Sequence, residues 1–172
     1  EHYAYVGRLT EQKDPLRYLK LVNQLSQRFS DKIQFVMVGD GLLRNIVDSY
    51  IEEKNISNLV CIPYVANTPE LIGIMDGLVI TSKYEGLPIV SIEAMGMGTP
   101  IFSTDSGDTK RFLRKNESGL IIDEKKSDYE NFQEFRENIK YYKKNSQIHS
   151  EEMIEFFSAH NISNKYLATF TK

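Results

Sequence analysis

The sequence predicts an α/β fold: a doubly wound, Rossmann-like parallel sheet of about six strands, with helices on both faces and further helices appended at the C-terminal end. Three features carry that expectation. Short apolar runs recur along the chain, and most are apolar on both faces rather than alternating, as parallel strands covered on both sides must be. Each run is followed, after a short connection, by apolar residues at helical spacing. From Ser127 onward the strand signals cease and only helical ones remain.

The predicted strands are His2–Val6, Ile33–Val38, Leu59–Ile62, Leu78–Thr81, Pro100–Ser103 and Leu120–Ile122. Asp14-Pro15 reads as an N-cap followed by proline at the first helical position, and Leu21, Val22, Leu25 and Phe29 then line one helix face. Leu42, Leu43, Ile46, Val47, Tyr50 and Ile51 form a second stripe. Thr68-Pro69 repeats the cap-plus-proline start. Pro88 opens a fourth helix to about Met97, and a fifth runs from Thr109 to Lys115. Ser127 and Glu130 form a capping box ahead of Phe132, Phe135, Ile139 and Tyr142. The tail from Gln147 to Lys172 reads as one or two more helices. Cys61, Met95 and Met97 are expected in the core.

Composition narrows the function classes. The 21 basic and 24 acidic residues leave a net charge of −3, which speaks against a nucleic-acid or anionic-membrane footprint. A single cysteine excludes an internal disulfide framework and a thiolate zinc cluster, and three dispersed histidines speak against a histidine-built metal site. No apolar run reaches the roughly 18 residues that span a bilayer. The chain opens on EHYAYVG, already strand-like and without an initiator Met, and is read as a piece of a longer polypeptide.

The chemistry-bearing residues fall where a doubly wound sheet holds ligands, beyond the carboxyl ends of its strands. On a helix opened by Pro88, Glu93 has Ile89, Val90, Gly96 and Met97 one turn either side. A carboxylate in such an apolar stripe needs a hydrogen-bonding partner. That partner is a ligand in the strand–helix crevice, a cation in a structural ion pair, or a neighbouring loop that the carboxylate caps. Glu85 precedes the same helix in the turn after Ser82, followed by Gly86, Leu87 and Pro88; it faces a ligand or simply answers the helix dipole. Arg8 and Lys13 follow Gly7 in the loop after the first strand, where two cations can neutralise a diphosphate without a metal or stand as solvated charges. Val38-Gly39-Asp40-Gly41 has Arg44 where a dinucleotide fingerprint needs its third glycine, so it reads as a tight turn.

Taken together, five segments resemble the C-terminal, nucleotide-sugar-binding domain of retaining glycosyltransferases of the GT-B fold, family 4 (glycosyl transferases group 1). They are V-G-R-L-x-x-x-K (Val6 to Lys13), V-G-D-G (Val38 to Gly41), S-x-x-E-G-L-P-x-V-x-x-E-A-M (Ser82 to Met95), G-x-P-I (Gly98 to Ile101) and N-x-S-G-L-I-I (Asn116 to Ile122), in the family's order. One departure is Gly107-Asp108-Thr109-Lys110-Arg111, where the family usually has Gly-Gly-x-x-Glu.

The resemblance implies that residues 1–172 are one donor-binding domain with a helical part over 127–172. The implied donor is a UDP- or GDP-sugar, whose hexose would be transferred with retention, and without a metal cofactor, to a saccharide or lipid-linked acceptor. Gly7, Arg8 and Lys13 would bind the diphosphate. Ser82, Glu85, Gly86, Leu87 and Pro88 would meet the phosphates and sugar, Glu93 the ribose, and Tyr64 and Val65 the base, with Asp40 and Gly41 nearby. Glu85, Arg8 and Lys13 would be the catalytic residues. The resemblance also implies an acceptor domain preceding this chain, poor activity without it, and a last helix near Ser163–Phe170 returning to it. The setting would be cytoplasmic, at the inner face of the membrane, with any peripheral membrane contact made by that other domain; capsule, exopolysaccharide or lipopolysaccharide synthesis is the implied context. A non-catalytic nucleotide-sugar-binding module and a GT-B epimerase relative stay open as alternatives.

Overall fold

The structure, a computed structural model, describes residues 1–29 and 32–170, the side chains of Tyr166, Thr169 and Phe170 excepted. Its strands are β1 (His2–Val6), β2 (Gln34–Val38), β3 (Leu59–Ile62), β4 (Gly77–Ile80), β5 (Ile101–Ser103) and β6 (Gly119–Ile121). The helices are α1 (Pro15–Phe29), α2 (Arg44–Lys54), α3 (Thr68–Gly73), α4 (Ile89–Gly96), α5 (Thr109–Asn116), α6 (Asp128–Glu137), α7 (Ile139–Phe156) and α8 (Ala159–Phe170). All strand pairs are parallel and the sheet order is β3-β2-β1-β4-β5-β6. The order therefore reverses between β1 and β4, and the crevice beyond their carboxyl ends is the switch point of a doubly wound sheet.

Alternation along the strands builds the two layers. Tyr3 and Tyr5 of β1 face one core with Phe35, Met37 and Phe102, covered by Tyr18, Leu19, Val22 and Leu25 of α1 and Phe132 and Phe135 of α6. Ala4 faces the other with Leu78, Ile80 and Ile101, covered by Ile72 of α3, Ala94 and Met95 of α4, Leu113 of α5 and Met153 of α7. Each large side chain buried this way contributes about 1.5–3 kcal/mol. Tyr3 and Phe102 both meet Phe132 edge-on, at ring-centroid distances of 4.9 and 5.3 Å. Buried Tyr18 donates its hydroxyl to the Val36 carbonyl at 3.2 Å, so the phenol is not left unpaired.

The helix signals hold in part. Asp14 caps α1 by accepting from the Arg17 amide at 3.1 Å, and the Ser127–Glu130 capping box is formed. Arg17 also reaches across to Asp128 and Glu124, tying α1 to the start of α6.

Several expectations are corrected. The second stripe is only partly core: α2 starts at Arg44, so Leu42 lies in the preceding turn and is exposed, as is Ile46, while Val47 alone of the helix is fully buried. Strand β3 forms the sheet edge, which leaves Cys61 half-buried rather than in the core; burial still pushes its thiol pKa up. Met95 is buried, but Met97 sits exposed past the end of α4. Asn67, not Thr68, caps α3, accepting from the Glu70 amide. The helical region breaks at Asn138, and α7 passes through Gln147 without interruption. Thr171 and Lys172, the end of the expected tail, lie outside the described residues, as does the side chain of Phe170; Leu167 is exposed on α8.

Candidate donor site

The loops following β1 and β4 are sewn together. Thr81, at the end of β4, donates its hydroxyl to the carbonyls of Lys13 and Asp14 at 3.1 and 2.9 Å. The Lys83 amide donates to the Gln12 carbonyl at 2.8 Å, and Gln12 returns a bond to the Tyr84 carbonyl at 3.1 Å. This fixes the loop bearing Arg8 and Lys13 against the loop bearing Glu85.

The β2 loop joins from the other side. The amides of Gly7 and Leu9 donate to the carbonyls of Val38 and Asp40, both at 2.9 Å. Gly39 has φ +145°, and a Cβ there would stand 1.9 Å from the Gly7 carbonyl oxygen, so only glycine permits the approach. Gly41 likewise lies against the backbone of Leu9. The Gly-x-Gly turn thus serves loop packing.

A cleft of about 380 Å³ opens at this switch point, lined by Gly7, Arg8, Lys13, Glu85, Leu87, Pro88 and Glu93 together with Val6, Ile89 and Val90. A second hollow of about 270 Å³ shares Val6, Gly7 and Arg8 with it and continues to Asp40, Tyr64, Val65 and Thr68. Ten of the expected site residues therefore border one continuous depression. Three do not line it. Gly41 packs on Leu9; Ser82 is buried, its carbonyl accepting from the Thr104 hydroxyl at 2.7 Å; Gly86 is exposed, with open space where a Cβ would project.

The electrostatics of the cleft are uneven. Lys13 and Glu85 form an ion pair, with side chains only 17% and 9% exposed. Arg8 is exposed, and among the described residues its guanidinium has no carboxylate partner. Its backbone is nevertheless held: the Arg8 carbonyl accepts from the Tyr5 hydroxyl at 3.3 Å and the Thr10 amide at 2.9 Å. Burial, reinforced by Asp14 and Glu85, pushes the Tyr5 phenol far above its ordinary pKa, so it stays a neutral donor. Helix α4 starts behind Pro88, and its first amides, on the cleft-lining residues Ile89 and Val90, have no intrahelical acceptor. Cation, free amides and a positive helix end converge where an anion can sit.

Glu93, half-buried on α4, has Thr68 as its hydrogen-bond donor, 3.2 and 3.1 Å from its two carboxylate oxygens. The donor comes from the first residue of α3, so a neighbouring element answers this carboxylate, yet Glu93 still lines the cleft. Sequence reasoning missed Thr68, taken there for a cap, and Thr81, whose role is visible only once the loops meet. The departure at Asp108 and Arg111 lies outside the cleft. Gly107 has φ +68°, with its Cβ direction blocked by the Gly86 carbonyl 1.9 Å away, and the Asp108 amide donates to that carbonyl at 2.8 Å. Asp108 and Arg111 are themselves exposed. Among the described residues, no group of three or more His, Cys, Asp or Glu side chains is placed to hold a metal ion, and no helix is long and apolar enough to cross a membrane.

The profile of the family described as Glycosyl transferases group 1 matches residues 1–156. The chain belongs to that family. Relatives include the alpha-D-kanosaminyltransferase of Streptomyces kanamyceticus, 28% identical over 121 residues that make up 69% of this chain and 31% of the relative. Another is the Escherichia coli UDP-Gal:alpha-D-GlcNAc-diphosphoundecaprenol alpha-1,3-galactosyltransferase, 26% identical over 70% of this chain and 32% of its own. The chain thus spans about a third of the length of these curated relatives. Among solved structures, a variant of S. aureus TarM in complex with fondaparinux, alpha-GlcNAc-glycerol and UDP superposes with a TM-score of 0.85 at 21% identity, over 99% of this chain and 35% of that one. That likeness establishes the shared GT-B-type fold of the group 1 chain described here.

Proposed function

We propose that this chain is the donor-binding part of a retaining glycosyltransferase and holds a nucleoside-diphosphate sugar, UDP- or GDP-linked, in the depression between β1 and β4. One observation carries the reading: Arg8 and Lys13 from the β1 loop and Glu85 and Glu93 from the β4 loop and α4 line a single cleft at the switch point of the sheet. The position of the cleft suits a nucleotide, and its residues divide by chemistry into a cationic end and carboxylates able to accept from hydroxyls. Family membership and relatives named for sugar transfer from UDP-Gal, or crystallised with UDP, support the same reading.

In this reading Arg8, Lys13 and the first amides of α4 meet the diphosphate. Glu85 meets the sugar hydroxyls, Glu93 the ribose, and the hollow at Tyr64 and Val65 the base. As the anomeric C–O bond breaks, its electron pair leaves with the terminal phosphate oxygen, the sugar becomes oxocarbenium-like, and an acceptor hydroxyl adds to the anomeric carbon while its proton passes to that phosphate oxygen. The residues of this chain stabilise charge on the leaving group. Lys13 carries three N–H donors and can keep its bond to Glu85 while giving another to phosphate, so the ion pair orients the sugar-facing carboxylate instead of competing with the donor. Transfer itself needs an acceptor site, supplied in this reading by a further domain of a longer protein working on a saccharide or lipid-linked acceptor.

Calorimetric titration of UDP and GDP tests the proposal. Binding of one of them, weakened about 10- to 100-fold by Arg8→Ala, is the expected result, as follows from losing one charge-assisted contact. Absence of binding at millimolar nucleotide contradicts it.

A further inference from the structure

We infer that Thr68 is a positioning residue for Glu93, fixing the carboxylate so that it accepts from a ribose hydroxyl. The inference rests on the proposed reading of Glu93 as the ribose-binding group. It starts from an imbalance. Glu93 lies on α4 with Ile89, Val90, Gly96 and Met97 one turn away, and it borders both the cleft and an apolar groove formed by Pro69, Ile92, Met97, Ile154 and Phe157. Among the described residues no cation pairs with it, and its side-chain donor is the Thr68 hydroxyl.

An ionised carboxylate offers about four acceptor sites, whereas one hydroxyl supplies one proton. Thr68 therefore leaves most of the acceptor capacity unused, which a half-buried group does not favour unless a ligand or water completes it. The near-equal distances of 3.2 and 3.1 Å put the hydroxyl astride the two oxygens, so it sets the orientation of the carboxylate group, while its single proton leaves acceptor capacity there for a ribose hydroxyl. Two features make Thr68 a stiff reference. Its β-branched side chain has few χ1 choices, and its backbone is the first residue of α3, capped by Asn67 and followed by Pro69. Thr68 also lines the hollow with Tyr64 and Val65, while Glu93 lines the cleft with Arg8 and Lys13. Their hydrogen bond joins the two compartments at the level where a ribose links base to diphosphate.

The test uses UDP or GDP, whichever gives the larger heat with the unaltered protein, and its 2′-deoxy form, titrated into Thr68→Val, Thr68→Ser and Glu93→Ala variants whose unfolding midpoints are also recorded. The expected result is that Thr68→Val weakens the ribonucleotide about 3- to 10-fold and the 2′-deoxy form much less, narrowing the preference between them, while Thr68→Ser keeps both affinities. If Glu93→Ala narrows that preference but Thr68→Val leaves it unchanged, the role of Thr68 is overturned and the reading of Glu93 stands. Equal weakening of both nucleotides by Thr68→Val, or no rescue by serine, marks a merely structural contact and also overturns it. If Glu93→Ala does not alter the preference, the reading of Glu93 fails and the inference with it.

Discussion

Lys13 and Glu85, 72 positions apart in sequence, are joined in an ion pair that bridges the loops after β1 and β4. Both side chains are largely shielded from solvent, so the pair is neither the loosely hydrated contact typical of a surface nor free of desolvation cost. Removing one partner leaves the other charge largely shielded from solvent and unpaired. Lys13→Ala is therefore expected to lower stability by about 2 kcal/mol. The double variant Lys13→Ala/Glu85→Ala should recover part of that loss while nucleotide affinity stays low. Thermal unfolding and calorimetry on the same samples separate the two effects, and additivity of the single substitutions in stability would show that the pair is not coupled.

Arg8 differs from Lys13 in having no carboxylate partner among the described residues, so its charge is available to a ligand and its removal should cost little stability. Arg8→Ala is expected to leave the unfolding midpoint almost unchanged while weakening nucleoside diphosphate binding. Arg8→Lys should restore only part of the affinity, because a compact ammonium cannot reproduce a guanidinium's bidentate fork. Full recovery with lysine would mean that Arg8 acts as a simple charge.

The approach of the β2 loop to Gly7 sets a third expectation. At Gly39, alanine would combine a positive φ with a Cβ 1.9 Å from the backbone carbonyl oxygen of Gly7. Gly39→Ala should destabilise the fold by about 3 kcal/mol and loosen the cleft. Gly86→Ala, with open space beyond its Cα, should be tolerated by the fold. Comparing the two unfolding midpoints checks this contrast.

Asp76 gives the fold an acid limit. Burial pushes its carboxyl pKa up, but the His2 amide at 2.9 Å and the Lys143 ammonium at 3.3 Å outweigh it, and the net shift is downward. A folded-state pKa below the unfolded one contributes stability that is fully present above the ordinary carboxylate value. That stability is lost as pH falls through the lowered folded value. Asp76→Asn should therefore lower stability near neutral pH and flatten the loss of stability on acidification, measured by denaturant unfolding at a series of pH values.

How far the sequence reveals this molecule depends on whether a signal is local. The β1 run, the Asp14 cap and the Ser127–Glu130 box are decided within a few residues, and the structure has them. The fold class follows from the doubly apolar strands, because only helices on both faces can cover Tyr3 and Ala4 at once. The reach of α2 is not legible in the sequence, because helical periodicity does not reveal that β3 is an edge strand, and Leu42 and Ile46 are exposed. At the site, Arg8, Lys13, Glu85 and Glu93 were legible because their chemistry and position after strands stand out. Thr68 and Thr81 were not, because a threonine next to a proline or ending a strand has an ordinary local explanation. Their bonds to Glu93 and to the Lys13 carbonyl exist only after α3, α4 and the β1 loop have come together.

The most direct measurement is a crystal structure of this protein with the tighter-binding of UDP and GDP. The account requires the diphosphate between Arg8, Lys13 and the start of α4, the ribose hydroxyls on Glu93, and the base in the hollow bordered by Tyr64 and Val65. A nucleotide bound elsewhere, or with its diphosphate turned away from Arg8 and Lys13, would contradict it.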